Sequence, residues 1–314
     1  MAFFIQLVFA GIAVGCIYAL IGLGFSIIFK ASGVINFAQG ELLLVGAYVV
    51  SAGVFEWHLG SLLGPLGSLL GPLPEFFLAL LLGIAVTVAI GLLFQRFVLR
   101  RMIGRPVFSI LMITIGLDIV LRTSVIVRWG SNPIPAATPV DVNSGLNIGG
   151  VHFGANDLLT IAVTVLLCAA LYYFFRFTKY GLAMRATALD EEAALATGIN
   201  VRTVNALAWG ISAAIATIGG VFLGAGFVAI DPTLGATALL AFPAIILGGL
   251  DSVSGAVVGG IIIGLAQVLT AGYESYVASF LGTGIHEITP YLIMILVLLI
   301  RPYGLFGTRK VERI

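Results

Sequence analysis

The chain has 314 residues, 60% of them hydrophobic and 9% charged, with a formal net charge of +1 and a mean hydropathy of +1.16. Soluble domains carry about 25% charged residues, so this composition excludes a soluble enzyme and predicts an all-α integral membrane protein, a polytopic helical bundle of about eight to ten transmembrane spans. Near-neutral charge excludes nucleic acid as a partner, and Cys16 and Cys168, both inside apolar runs, imply no disulfide framework.

The first apolar run, 5–29, closes at Lys30, and a polar break containing Asn36, Gln39 and Glu41 precedes the next run, 42–55. Residues 56–75 hold many Gly and Pro but no Lys or Arg, the composition of an external loop. The run 76–94 leads to Arg96, Arg100, Arg101 and Arg105, and 107–127 leads away again. A second external loop, 129–157, is rich in Pro, Asn and Gly. The run 158–175 then returns to a polar segment, about 177–203, flanked by Arg176 and Arg202 and carrying Lys179 and Arg185. Four more apolar runs, 204–228, 234–250, 253–271 and 288–300, end at Arg301, Arg309, Lys310 and Arg313.

Runs of about 20 residues, rising 1.5 Å each, match a hydrocarbon core about 30 Å thick. Twelve of the fifteen Lys and Arg fall into the three basic segments, and short loops keep basic residues on the cytoplasmic side. The pattern predicts about nine crossings in a single domain over 1–314 of the plasma (inner) membrane of a bacterium, with an external N-terminus and a cytoplasmic C-terminus. Glycine pairs at small-xxx-small spacing, Gly11/Gly15, Gly220/Gly224, Gly255/Gly259 and Gly260/Gly264, predict helices whose backbones approach closely.

The polar internal segment predicts a short helix from about Thr187 to Gly198. Thr187 or Asp190 can cap its start, Asp190, Glu191 and Glu192 suit its first turn, and Gly198 suits a left-handed end. Such a small-residue helix fits a groove in another protein, or simply connects two spans. Asn36 and Gln39, with Glu41 two residues beyond, either line a polar path or cap a helix start; a carboxylate beside a span needs a partner. Asp118 and Arg122 lie four apart on one helix face, as part of a translocation path or as a mutually neutralising pair. His58, His152 and His286 are scattered over external segments without Cys or paired carboxylates, so no metal or other cofactor is expected.

Glu192-Ala193-Ala194-x-x-x-Gly198 resembles the EAA---G core of the cytoplasmic loop in membrane subunits of bacterial ABC importers. Gly33-Val-Ile-Asn36-Phe-Ala-Gln39-Gly-Glu41 with Gly46-Ala-Tyr48 is similar to the N-terminal signature of the branched-chain amino-acid permease family, LivH type. Ala19-Leu20, Leu23-Gly24, Phe29, Gly198-Ile-Asn200 and Arg301-Pro-Tyr-Gly-Leu-Phe-Gly307 match it as well. The Ile-x-Leu-Pro continuation of many importer loops is missing, and Tyr303 stands where Gln is common.

The resemblance implies a permease paired with a second, homologous permease, two cytoplasmic ATP-binding subunits and an external solute-binding protein. The helix from about Thr187 to Gly198 would then sit in a cleft of one ATPase. It also implies hydrophobic amino acids as cargo, with urea, amides or other small amino acids as alternatives within the family. No Gly-x-x-x-x-Gly-Lys-Ser/Thr phosphate loop occurs, so ATP hydrolysis is expected on separate subunits and the chain is not expected to be an enzyme. A secondary transporter or channel driven by an ion gradient is the competing class; Glu41 with Asp118 and Arg122 would be its coupling groups.

Overall fold

The computed structural model describes residues 1–63, 72–102, 105–141, 144–274 and 283–307. Arg309, Lys310 and Arg313 of the basic tail, and 64–71 of the first loop, lie outside the described residues.

Six helical stretches are long and apolar enough to cross a membrane. They are α1 (Ala2–Ser32), α3 (Leu73–Phe97, extended by a 3₁₀ turn to Arg101), α4 (Val107–Trp129), α5 (Ala155–Phe177), α8 (Val201–Phe227) and α11 (Val253–Gly272). Three apolar stretches are shorter: α2 (Gln39–Phe55), the segment 234–248, and α12 (Ile285–Ile300), which carries Pro290 in its interior. The run 234–250 is therefore not the single helix its composition suggests. It divides into α9 (Leu234–Thr237), a 3₁₀ turn and α10 (Ala241–Gly248), and Gly249 at φ 103° ends it. Between α5 and α8 lie two short helices, α6 (Lys179–Leu189) and α7 (Glu191–Ala196).

Helix α1 is apolar on all sides, the pattern of a helix surrounded by protein, and from Gly15 to Ile28 every residue is buried. Its tightest crossing is with α11. A Cβ on Gly264 would lie 2.3 Å from the Gly15 nitrogen, and one on Gly15 would lie 2.7 Å from the Ile261 Cα. Lipid gives helices no hydrophobic reason to associate, so van der Waals contact between bare backbones has to supply it. Gly220 meets the Leu43 carbonyl, and Gly255 and Gly259 meet α10, in the same way. In contrast, α4 and α5 bury few residues beyond Thr114, Leu121 and Val125, and Asn156, Thr160, Thr164 and Leu171, leaving broad apolar faces for the bilayer.

The second loop is partly ordered as strands. Gly145–Ile148 (β2) and Val151–Gly154 (β3) form an antiparallel hairpin. Its turn residues Gly149 and Gly150 have φ 60° and 80°, the left-handed pair that a two-residue hairpin demands. Ile134–Pro135 (β1) pairs with Ala229–Ile230 (β4), tying the ends of α4 and α8 together. At the opposite end the tail doubles back. Leu305 and Phe306 donate from their backbone nitrogens to the Leu247 and Gly248 carbonyls at 2.8 and 3.0 Å. Gly304, at φ 77°, fits where a Cβ would meet the Ile246 carbonyl at 2.7 Å.

Candidate functional site

The break between α1 and α2 lies inside the bundle. Gly33, at φ 67°, ends α1, and the chain turns back through residues 34–38, where Asn36 is 1% exposed and Ala38 fully buried. Gln39 opens α2 against Gly24 of α1 and Ser212 of α8. Ser212 is about 16 Å from the start of α8 and Gly24 about 12 Å from the end of α1, at 1.5 Å per residue. The N-terminus of α2 therefore lies inside the bundle, about two turns in from the end of α1 and three from the start of α8.

The break is buried, and its backbone N–H groups find acceptors within the protein. Phe37 N donates to the Thr114 hydroxyl at 3.4 Å, Ala38 N to Asn36 Oδ1 at 3.2 Å, and Gln39 N to the Asn36 carbonyl at 3.2 Å. The Gln39 amide is held on both sides: Ser212 Oγ donates to Oε1 at 2.9 Å, and Nε2 donates to the Ser212 carbonyl at 3.3 Å. Asn36 thus lies before the helix rather than in its first turn, and its side-chain oxygen holds the turn that precedes it by accepting from Ala38 N.

Glu41, in that first turn, is fully buried. Arg122 of α4 reaches it, Nε donating at 3.0 Å and Nη2 at 2.6 Å to the same oxygen, Oε1. Asp118 Oδ2 lies 3.7 Å from the same Nη2. The structure joins three of the residues singled out by sequence into one cluster of two carboxylates and one guanidinium. Gly235 of α9 lies against the Glu41 carboxylate, where a Cβ would be 2.4 Å from Oε1. Arg122 keeps 40% of its side chain exposed and Asp118 25%. Charges at this depth face a wet cavity or another protein rather than lipid.

The second assembly is α6–α7. Asp190 breaks the segment with an extended backbone and caps α7, its Oδ1 accepting from Ala193 N at 2.9 Å. Glu191 and Glu192 fill the first turn of α7, favourable to its dipole. Gly198, at φ 85°, closes it, with Gly198 N and Ile199 N donating to the Leu195 and Ala194 carbonyls. Thr187 is not a cap: it belongs to α6, and its hydroxyl donates to the Ala183 carbonyl. The helix expected from Thr187 to Gly198 is thus the end of one helix and all of a shorter one. Ala194 is 3% exposed and faces its own chain, whereas Glu192, Ala193, Leu195 and Ala196 are exposed. Leu189 and Leu195, 89% and 55% exposed, extend this outward face. Met184 of α6 packs into the cluster of Leu23, Ile27 and Ala31 on α1, so the segment is tied to the bundle.

The partners of these residues lie far off in sequence. Ser212, Thr217 and Asn205 interrupt the apolar run 204–228, and Thr87 interrupts 76–94; the Thr87 and Thr217 hydroxyls are 2.6 Å apart. Polar residues within spans were the signal that could have found them. Among the histidines, His286 Nδ1 is 2.9 Å from Glu274 and His152 Nδ1 is 2.8 Å from Asn147. The Gly284 N–H also bonds the Glu274 carboxylate and, as the largest cause, holds it below its usual range. Among the described residues no three His, Cys, Asp or Glu side chains come together as a metal site.

The sequence model of the family described as "Branched-chain amino acid transport system / permease component" matches residues 7–299. The chain is 33% identical to the high-affinity branched-chain amino acid transport system permease protein LivH of Escherichia coli (strain K12), over 99% of this chain and 98% of that one. It is 32% identical to BraD, the corresponding permease protein of Pseudomonas aeruginosa, with the same coverage. A probable LivH of Methanocaldococcus jannaschii is 31% identical over 94% of this chain and 90% of its own length. No solved structure matches the chain. A match over nearly the full length, on a helical bundle with six membrane-length helices, places the chain in the family of branched-chain amino acid transport permease components.

Proposed function

We propose that this chain is the membrane-spanning permease subunit of an ATP-driven importer, and that it translocates branched-chain or other hydrophobic amino acids delivered by an external solute-binding protein. The observation that carries this reading is the nearly end-to-end match to curated permeases named for branched-chain amino acid transport. A second, homologous permease completes the membrane part. Two ATP-binding subunits on the cytoplasmic side supply the energy, since the chain has no phosphate loop of its own.

The exposed face of α7, with Asp190, Glu191, Glu192, Ala193 and Gly198 around the inward-facing Ala194, enters a cleft of one ATPase. Rigid-body movement of α6–α7 then tilts α5 and α8, between which they are strung. Asn36, Gln39, Glu41, Asp118 and Arg122 form the polar lining and gate of the path. Arg100, Arg202 and Arg301 mark the cytoplasmic face, which carries the C-terminus. A Cys at Ser144 is expected to label from outside and one at Ala188 only from inside.

The test is uptake of radiolabelled leucine into proteoliposomes holding the chain with its partner permease, ATPases and binding protein. Uptake that requires ATP on the ATPase side and persists without an ion gradient is the expected result. Uptake without ATP, driven by a proton or sodium gradient, would overturn the reading in favour of a secondary transporter.

A further inference from the structure

At the basic end of the bundle an open groove of about 480 Å³ runs between α3 and α8. Leu92, Arg96 and Arg100 line it from α3 and its 3₁₀ extension, and Asn200, Arg202 and Thr203 from the start of α8. It begins about two turns beyond the closest approach of the helices, Gly91 against the Trp209 backbone, where a Cβ would be 3.4 Å away. All six lining residues are exposed, so a ligand reaches them from outside.

Three arginines share this groove without a counter-charge. Among the described residues none of them has a carboxylate within ion-pair distance. Glu191 lines a neighbouring cavity together with Arg100 but does not pair with it. Arg202 stands in the first turn of α8, which holds no acidic residue, and the positive end of a helix dipole disfavours a cation there. An anion in the groove relieves both the mutual repulsion and the clash with the dipole.

The apolar wall narrows the choice of anion. Leu92 lies four residues before Arg96, on the same face of α3, and is 38% exposed. Leu93 and Phe97 beside them are 54% and 55% exposed, so the groove adjoins a face of α3 turned to the bilayer. A soluble anion has no use for that wall, whereas a phospholipid brings its own acyl chains to it.

We propose that this groove binds the phosphate headgroup of an anionic phospholipid. Arg96, Arg100 and Arg202 hold the phosphate oxygens, which the guanidinium fork suits. Asn200 caps α8 through its oxygen, leaving its amide nitrogen to donate to the headgroup. The acyl chains lie along Leu92, Leu93 and Phe97. The proposal needs only that the chain spans a bilayer, and it stands apart from the importer reading.

The experiment uses the full chain assembled with its partner permease and binding protein in phosphatidylcholine nanodiscs, with and without the ATP-binding subunits. Photoreactive phosphatidylglycerol is added at rising mole fraction, and labelled peptides from 92–100 and 200–206 are measured by mass spectrometry. Arg96→Gln is expected to raise the half-saturating mole fraction about fivefold, and Arg96→Gln, Arg100→Gln and Arg202→Gln together on the order of a hundredfold. Replacing three other arginines, Arg176, Arg185 and Arg301, by Gln should leave it unchanged. Thr203→Glu adds a carboxylate to the groove in the first turn of α8, where the dipole favours it, and should weaken labelling with every arginine in place. It carries the test should the triple variant fail to insert.

Equal losses in the two triple variants would reduce the site to general surface charge. Displacement of the lipid by inorganic phosphate would make it a soluble-anion site, and labelling seen only without the ATP-binding subunits would give the groove to them. Each of these results overturns the proposal, and ATP-driven leucine uptake by the same complex reports separately on the importer reading.

Discussion

Glu41 and Glu192 are the same residue in opposite settings. Glu41 is fully buried, gripped by Arg122 and packed against the backbone of Gly235. Glu192 is exposed on the six-residue helix α7. The first holds helices α2, α4 and α9 together, and its removal is expected to show as lost stability. The second touches little of its own chain, and its surroundings matter for what they fit. The two are read by their surroundings: Glu41, paired through one oxygen inside the fold, braces helices, whereas Glu192, facing out on a capped helix of small residues, is free to meet the partner proposed above.

The largest effect is expected at the buried cluster. Arg122→Ala strands the buried Glu41 carboxylate, and leaving a buried acceptor without its partner costs about 1–3 kcal/mol, the half-exposed Arg122 keeping the loss below that of a fully buried pair. Thermal unfolding in detergent should show the loss, and the double variant Glu41→Gln with Arg122→Met should recover most of it. If Arg122→Ala melts like wild type, the cluster does not hold α2 to α4.

Next comes the α1–α11 crossing. Gly264→Ala puts a methyl 2.3 Å from the Gly15 nitrogen, where only backbone can give way, and overpacking of this kind costs about 1–3 kcal/mol. Folded yield after membrane extraction reads it.

Asp190→Ala removes the cap of α7, worth about 1 kcal/mol. Faster hydrogen exchange at Ala193 and its neighbours is expected, with α8 unchanged. The smallest effect on the fold belongs to Ala193→Trp. Its side chain is exposed, so stability should stay within about 0.5 kcal/mol of wild type, yet transport should be lost. Ala194→Trp does not make this distinction, because Ala194 packs against its own chain.

Much of this was legible in the sequence, for physical reasons that differ from place to place. Apolar runs near 20 residues marked the long helices because length and composition alone decide whether a segment can cross. Gly198 marked the end of α7 because a left-handed end is a local requirement, but Asp190 was only one of two candidate caps, and the choice between it and Thr187 needed the structure. The contact of Glu41 with Arg122 was not legible: 81 positions separate them, and only tertiary packing joins them. Gln39 with Ser212 is a similar case, at a separation of 173. The run 234–250 looked like one helix because hydropathy does not register a 3₁₀ break. The depth at which α2 begins likewise depends on where the chain turns after Gly33, which no local pattern encodes.

The most direct test of the account is co-purification. The wild-type chain and Ala193→Trp, each verified to be inserted and to melt alike, are extracted and compared for the ATP-binding subunit they bring down. The account predicts that the wild type retains the ATPase and Ala193→Trp loses it. Equal retention by both would contradict the assignment of the exposed α7 face as the coupling surface, and absence of any ATPase from the wild type would contradict the importer itself.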